Sequence, residues 1–274
     1  MFKKVLCTLI ILSSISTAIC QDKIKILIEY KMVHVVDTTQ PANPRITRCM
    51  LIAGSNMSVY DDYYRAMRYL GYKGDVAMRV YDNQLDIVEA AAGISCDQIF
   101  TNLEKKELIT GNYFGKALYT KVEPLTKIEW IIQPQKKKIL EQDCQRATTF
   151  FGGRNYTVWF APAIPINAGP WKLGGLPGII LAVNDEKNEI TFTCTKITIP
   201  EEEAPLITAS KKATLLSTAE FNKTKQKFAN DPQAFYDASD PMGSIMAVAT
   251  PLGFQPDTKT KVKPRPMNNP IEKE

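Results

Sequence analysis

The sequence predicts a mainly β protein, built as a curved antiparallel sheet or half-barrel with a C-terminal helix and a disordered tail. Many short segments of β-propensity follow one another, separated by turns that contain glycine, proline and asparagine. The long helices that would alternate with the strands of a parallel sheet are missing from the pattern. The chain of 274 residues is 45% hydrophobic and 23% charged, so it has the composition of a globular protein with a core.

The first residues of the chain are typical of an export signal. A basic start leads into the apolar run Val5–Ile15, which is too short for a stable membrane anchor. Ala18 and Cys20 then place small residues at the spacing that signal peptidase accepts. Lipidation of Cys20 is the alternative, but Ile19 before it fits a lipobox poorly. The sequence therefore predicts an exported protein of the periplasm or cell envelope, or a secreted one, with no transmembrane helix in the mature chain.

The strands are predicted mainly from alternating apolar residues. Residues Asp61–Leu70 differ, since their apolar residues recur at helical spacing and predict either a short helix that ends before Gly71 or an ordered loop insertion. Lys136–Lys138 is interpreted as a solvated turn. The predicted strands are Ile24–Val36, Ile46–Tyr60, Ile128–Ile132, Ile139–Phe151, Asn155–Phe160, Ile179–Val183 and Ile190–Ile199, with further short segments between Val76 and Glu123.

A helix is predicted after the last strand. Ser217 and Glu220 have the spacing of a capping box, which predicts a helix over residues 218–229. Phe221 and Phe228 lie one heptad apart on it, so we expect both to dock on the sheet.

Composition divides the chain into four parts. Residues 251–274 are rich in proline and lysine and are predicted to be extended or disordered. The predicted parts are a signal peptide (1–20), a β-rich domain (21–200), a linker with a helix that packs on the sheet (201–250) and the tail (251–274).

A loop within Trp159–Asp185 combines four prolines with four glycines. Proline fixes φ, and glycine reaches conformations that other residues resist, so we expect a loop of fixed shape over residues 162–178. Its apolar side chains predict that it packs against the sheet; they are Ile164, Ile166, Trp171, Leu173 and Leu176.

The same loop resembles the signature of the GLPGLI family, secreted Bacteroidetes proteins of largely unknown function. The resemblance rests on Ile164-Pro165-Ile166, Gly169-Pro170-Trp171 and Gly175–Ile180, which reads GLPGII, and on Trp130, Cys144–Thr148, Gly153-Arg154, Lys263–Pro266 and Asn269–Glu272. It implies that Arg154 and Trp171 belong to the signature. Either Arg154 pins the loop through backbone carbonyls and Trp171 plugs the sheet, or both contact a ligand. It also implies that the last residues are held on the fold.

Four cysteines remain after the predicted cleavage: Cys49, Cys96, Cys144 and Cys194. An even number in an exported protein permits two disulfides, with three possible connectivities. The alternative is that some are buried free thiols. No CxxC pair or Cys/His cluster is present, so the sequence predicts no metal site.

The residues that catalysis usually needs are scarce. His34 is the only histidine, and it lies in a predicted strand with no nucleophile motif elsewhere in the chain. Metalloprotease, Walker and dinucleotide fingerprints are missing, and no cofactor is predicted. Asp185 is interpreted as a turn residue. The formal charge of +5 is scattered, which does not favour nucleic-acid binding.

These observations favour a non-enzymatic envelope protein that binds a hydrophobic ligand or a partner peptide. The predicted site is the concave face of the sheet, roofed by the loop of residues 162–178. The candidate binding residues are Trp171, Arg154, Leu176, Pro177 and Ile164. The alternatives are a hydrolase that uses carboxylates, with Asp185 and a second acid that the sequence does not identify, and a structural or assembly protein of the envelope.

Overall fold

The computed structural model describes residues 22–71, 96–115, 117–200, 204–210, 212–231, 234–235, 238 and 268–273. The predicted signal peptide and most of the predicted tail lie outside these residues. Within them, no helix has the length and apolar character needed to cross a bilayer.

In the part of the chain that the structure describes, twelve strands form one sheet, which confirms the mainly β class. The strands are β1 (Ile26–His34), β2 (Arg45–Ala53), β3 (Met57–Asp62), β4 (Gln98–Asn102), β5 (Glu107–Phe114), β6 (Ala117–Pro124), β7 (Ile131–Ile139), β8 (Gln142–Phe151), β9 (Arg154–Ala161), β10 (Ile179–Asp185), β11 (Ile190–Thr198) and β12 (Thr214–Leu215). The two helices with bounds inside the described residues are α1 (Tyr63–Tyr69) and α2 (Thr218–Asn230).

The strand order is β12-β6-β5-β4-β3-β2-β1-β11-β10-β9-β8-β7. All neighbours pair antiparallel except β12, which runs parallel to β6. The first strand of the sequence lies in the middle, because it pairs with both β2 and β11. The sheet is thus open and largely antiparallel, with β7 and β12 at its edges.

Both faces of the sheet are covered. The inner face, which carries Tyr30, Phe160 and Phe192, buries the larger hydrophobic cluster. The outer face, which carries Val59 and Phe100, buries a smaller cluster beneath α1 and Ile207. Burial on both sides explains why several central strands lack a clean alternation of apolar and polar residues.

Helix α2 begins and docks as predicted. The Ser217 hydroxyl accepts a hydrogen bond from the Glu220 amide, and the Glu220 carboxylate accepts one from the Ser217 amide, which completes the capping box. Phe221 and Phe228 are buried, and their ring centroids lie 5.6 and 5.4 Å from that of Phe114 on β5.

The single strand predicted over Ile46–Tyr60 is wrong, because a turn divides it into β2 and β3. The carboxylate of Asp22 accepts hydrogen bonds from the amides of Ser55, Asn56 and Met57, at 3.0, 2.6 and 2.7 Å. A Cβ on Gly54 would collide with that carboxylate, so only glycine fits there. The turn is thus fixed by a residue more than thirty positions earlier in the chain.

The strand predicted around Trp130 also begins and ends elsewhere. Strand β7 starts at Ile131 and includes Lys136–Lys138, so the predicted turn at these lysines is wrong, although all three are exposed. Pro134 lies in the same strand. Lysine and proline are both typical of edge strands, where they discourage pairing with other chains.

Candidate functional site

The proline- and glycine-rich loop lies on the inner face of the sheet, as predicted. Trp171 and Leu176 are 6% and 2% exposed and belong to the main core cluster. Ile164 is partly buried against this cluster, whereas Pro177 is exposed. Three of these four predicted binding residues therefore contribute to the core.

Hydrogen bonds hold the loop to the strands on either side. The amides of Ile179 and Ile180 donate to the carbonyls of Ile164 and Ala168, at 3.1 and 3.0 Å. The indole nitrogen of Trp130 donates to the Gly174 carbonyl at 2.8 Å. These three hydrogen bonds tie the loop to the strands at its start, its middle and its end.

The space that was expected to hold a ligand beneath the loop is filled by the side chains of the loop itself. A recess beside Ile166–Ala168 measures about 10 Å³, which is at the lower limit for a single water molecule. The rings of Trp171 and Phe151 meet edge to face, with centroids 5.7 Å apart. Trp171 is therefore packed against the inner face of the sheet.

Arg154, at the start of β9, forms a buried ion pair with the end of β10. Its side chain is 3% exposed, and Nη1 donates to Asp185 Oδ2 at 2.7 Å and to Glu189 Oε2 at 3.1 Å. The other oxygen of Asp185 accepts a hydrogen bond from the Ile190 amide at 3.0 Å. Burial alone would raise the pKa of Glu189, but hydrogen bonds from Arg154 and Asn269 lower it overall.

The remaining nitrogens of Arg154 bind the last residues of the chain. Nε donates to the Ile271 carbonyl at 3.1 Å and Nη2 to the Pro270 carbonyl at 2.7 Å. Nη2 also donates to the side-chain oxygen of Asn269. Arg154 does bind carbonyls, as expected, but they belong to residues 268–273, which we call the tail segment, and not to the loop.

Asn269 is the most deeply buried residue of the tail segment, at 1% exposure. Its side-chain amide donates to the Val35 carbonyl at 2.7 Å and to Glu189 Oε2 at 3.0 Å. Its backbone carbonyl lies 2.6 Å from Nε2 of His34. Both polar groups of this side chain therefore have hydrogen-bond partners.

His34 is buried and uncharged at neutral pH. Burial is the main reason that its pKa is lowered to about 4, and Arg45 and Arg154 lower it further. The neutral ring donates its Nε2 proton to the Asn269 carbonyl. His34 is therefore packed between its own strand and the tail segment.

The rest of the tail segment lies along the β8–β9 turn. The Lys273 amide donates to the Gly152 carbonyl at 2.9 Å, and Lys172 pairs with Glu272 at 2.6 Å. The predicted disorder does not apply to these residues, whereas the expectation that the last residues are held on the fold is confirmed. A sequence signal exists, because Asn269-Pro270-Ile271 places an apolar residue in an otherwise polar stretch.

The second acid that the hydrolase alternative requires is present near Asp185, but not as an acid–base pair. Asp185 and Glu189 both accept from the same nitrogen of Arg154, and Asn269 covers them. A general acid needs a raised pKa, yet that of Glu189 is lowered. The arrangement serves as an ionic attachment point for the tail segment.

A groove of about 220 Å³ opens on the outer face of the sheet, away from every predicted site residue. Its apolar wall comes from strands β3 to β6, and its other wall from the segment before β12; the main contributors are Val59, Phe100, Ile109, Val122, Thr208 and Leu215. Tyr69 of α1 also lines it, and its hydroxyl accepts a hydrogen bond from the Thr208 amide at 2.8 Å. The sequence shows these apolar residues within strands of β-propensity, but it carries no signal that groups them at one site.

Cys49, Cys96, Cys144 and Cys194 are free, buried thiols. The expected disulfides are therefore not shown, and no pairing is assigned. Burial raises the pKa of Cys194 to about 12 and that of Cys144 to about 11. Across the described ranges, no three His, Cys, Asp or Glu side chains come together as metal ligands.

Part of this chain is similar to a family without an assigned activity. A family model described as "Protein of unknown function (Porph_ging)" matches residues 111–182, which run from β5 to β10 and include the loop. No match was found among curated proteins.

Two solved structures of PNGF-II are similar in fold. The structure in space group P21 is 14% identical with a TM-score of 0.51, and that in space group C2 is 15% identical with a TM-score of 0.50. They cover 74% and 76% of this chain. This chain spans only 33% of the length of either. At this level of identity the likeness concerns the fold alone.

Proposed function

We propose that this chain is an exported GLPGLI-family protein of the cell envelope, and that it binds an apolar partner peptide or hydrophobic ligand in the outer groove. Membership of that family is supported by the GLPGII motif and by the unknown-function family match over the same loop. Export is supported by the basic and apolar start of the sequence. We assign binding to the groove and not to the inner face, because side chains of the loop pack into the inner face.

The single observation that carries the proposal is the position of the groove along an open stretch of β6. Strand β12 pairs only Thr214 and Leu215, with Tyr119 and Thr120 of β6. The Leu216 amide donates to the Thr120 carbonyl at 2.8 Å, so the backbone groups of Thr120 point away from β5. Those of Val122, two residues later, point the same way because strands have a period of two.

This geometry suits an extended peptide better than a compact small molecule. At about 220 Å³ the groove is smaller than the roughly 300–1,000 Å³ typical of small-molecule pockets. An added strand would pair with Val122 and place alternate apolar side chains in the groove, as in other cases of strand addition. Val122 is 43% exposed and Leu215 is 65% exposed, so both are available for such contact.

Binding of 8-anilinonaphthalene-1-sulfonate, an apolar fluorescent probe, tests whether the groove accepts apolar groups. We expect Val122→Asp to reduce the enhancement of probe fluorescence severalfold, because a carboxylate then stands at the apolar wall. Ile131→Asp is the matched control, since Ile131 is also exposed, at 67%, but lies on β7 at the opposite edge. Equal fluorescence from both folded variants and the unmodified chain would contradict the proposal.

A further inference from the structure

The tail segment occupies a site that has the properties of a peptide-recognition site. Six residues, Asn268–Lys273, contact the end of β1, the start of β9, the β8–β9 turn and the residues between β10 and β11. Asn268 adds hydrogen bonds from Thr38 and to Asp37, at 2.9 Å each. Side-chain recognition and backbone recognition therefore both operate within one short peptide.

Specificity is concentrated at three positions of the segment. The side chain of Asn269 accepts a hydrogen bond from Arg154 and donates to the Val35 carbonyl and to Glu189. Ile271 packs against the main core cluster. Glu272 pairs with Lys172. An aspartate in place of Asn269 would bring a carboxylate against Glu189 and remove the hydrogen bond to the half-buried Val35 carbonyl, both of which cost free energy.

We propose that this site is a recognition site for an Asn-Pro-Ile-Glu peptide, and that it accepts the segment of a second copy of this chain as well as its own. Twenty-nine residues, 239–267, connect the segment to Ala238 in the sequence. Covalent connection raises the effective concentration of the segment but supplies none of the contacts at the site. A segment from another molecule makes the same contacts once the resident one is removed.

A pair of complementary full-length variants tests the exchange between copies. Asn269→Asp keeps the site and damages the segment, whereas Arg154→Lys keeps the segment and damages the site. Lysine cannot reproduce the three-nitrogen contact of the guanidinium with Asn269, Pro270 and Ile271. We expect the equimolar mixture to form a 1:1 complex in sedimentation velocity, while each variant alone stays monomeric at the same concentration.

A peptide titration measures the site directly. A fluorescein-labelled peptide with the sequence of residues 268–273 is titrated with the Asn269→Asp protein and followed by anisotropy. We expect saturable binding, and a decrease in affinity of about tenfold or more when the peptide itself carries aspartate at the position of Asn269. The Arg154→Lys protein should bind the unmodified peptide at least about tenfold more weakly than the Asn269→Asp protein does.

Two outcomes would overturn the proposal. One is equal or undetectable binding of both peptides to a folded Asn269→Asp protein, together with a monomeric mixture. The other is loss of cooperative unfolding in both variants, because the segment would then be an inseparable part of the core and not a ligand. Neither outcome bears on the outer groove, whose probe binding is measured separately.

Discussion

Single buried polar residues determine where the end of this chain lies. The Arg154 side chain alone contacts Asp185 of β10, Glu189 of the turn after it and three residues of the tail segment. Burying a guanidinium and a carboxylate costs several kcal/mol unless their hydrogen bonds are satisfied, and here the bonds are provided from both sides. The tail segment is therefore coupled to the ion pair: removing either leaves charged groups without their partners.

His34 makes the stability of this region depend on pH. Its pKa is about 4 in the folded chain, compared with 6.5 as the usual value. Between these values the unfolded chain binds a proton that the folded chain does not, so the free energy of unfolding falls as the pH decreases. The full change over this window is about 3 kcal/mol. Urea denaturation at a series of pH values between 4 and 7 measures it.

The matched variant for this prediction is His34→Gln. Glutamine keeps a donor for the Asn269 carbonyl but does not titrate. We expect its stability to change less than that of the unmodified chain between about pH 6.5 and 4. Arg45, Arg154 and Asp185 also act on His34 and remain in the variant. Glu189 also remains in the variant. Because its pKa is lowered, the stability that its carboxylate contributes is lost in both proteins as the pH falls through that lowered value. Parallel pH profiles for both proteins would show that His34 is not responsible.

At the scale of elements, the loop is held by close backbone approach as much as by apolar packing. A Cβ on Gly178 would lie well inside van der Waals contact with the Ala161 carbonyl and 2.9 Å from the Pro162 Cα. These are backbone atoms on either side of the start of the loop, so neither can rotate away. The loop can therefore close onto β9 and β10 only with glycine at this position.

Gly178→Ala is expected to destabilise the protein by about 3 kcal/mol, because the added methyl group must displace the backbone. Gly174→Ala is the matched control in the same loop, since its Cβ would meet nothing closer than 3.6 Å. We expect the control to change the free energy of unfolding by less than about 0.5 kcal/mol. Guanidinium denaturation of both variants measures the difference, and similar midpoints would contradict the steric argument.

The sequence predicts a helix or strand correctly where neighbouring residues determine its ends. It does not do so where a residue far away in the sequence determines them. The capping box of α2 lies within four residues, and its prediction is confirmed. The turn between β2 and β3 depends on Asp22, so the strand pattern alone continued through it. Strand β7 was misplaced because its lysines and proline have low β-propensity, and its position comes from pairing with β8.

At the scale of the whole molecule, the sequence predicted the fold class and the burial of the loop, but not what the sheet encloses. The predicted concave binding face assumed that the loop covers a space. The side chains of Trp171, Leu173 and Leu176 fill this space instead. Whether a space stays empty depends on how side chains from many strands pack together, which a local pattern does not show. The attachment of Asn269 to Arg154 was likewise hidden, since the two residues are 115 positions apart.

The state of the cysteines is a property of the whole molecule, because it depends on where the strands place each thiol. Cys49, Cys96, Cys144 and Cys194 are buried as free thiols, which keeps a reagent away from them. Burial also raises the pKa of Cys144 to about 11 and that of Cys194 to about 12, so these two hold very little thiolate near pH 8. We therefore expect 5,5′-dithiobis(2-nitrobenzoic acid) to react with none of them rapidly in the native chain from residue 21 onward. In guanidinium without reductant, all four should react.

Thr193→Cys is the positive control, because Thr193 is the exposed neighbour of Cys194 on β11, and its thiol should react at once. A count of two or zero thiols after unfolding would demonstrate disulfides and contradict the free-thiol arrangement.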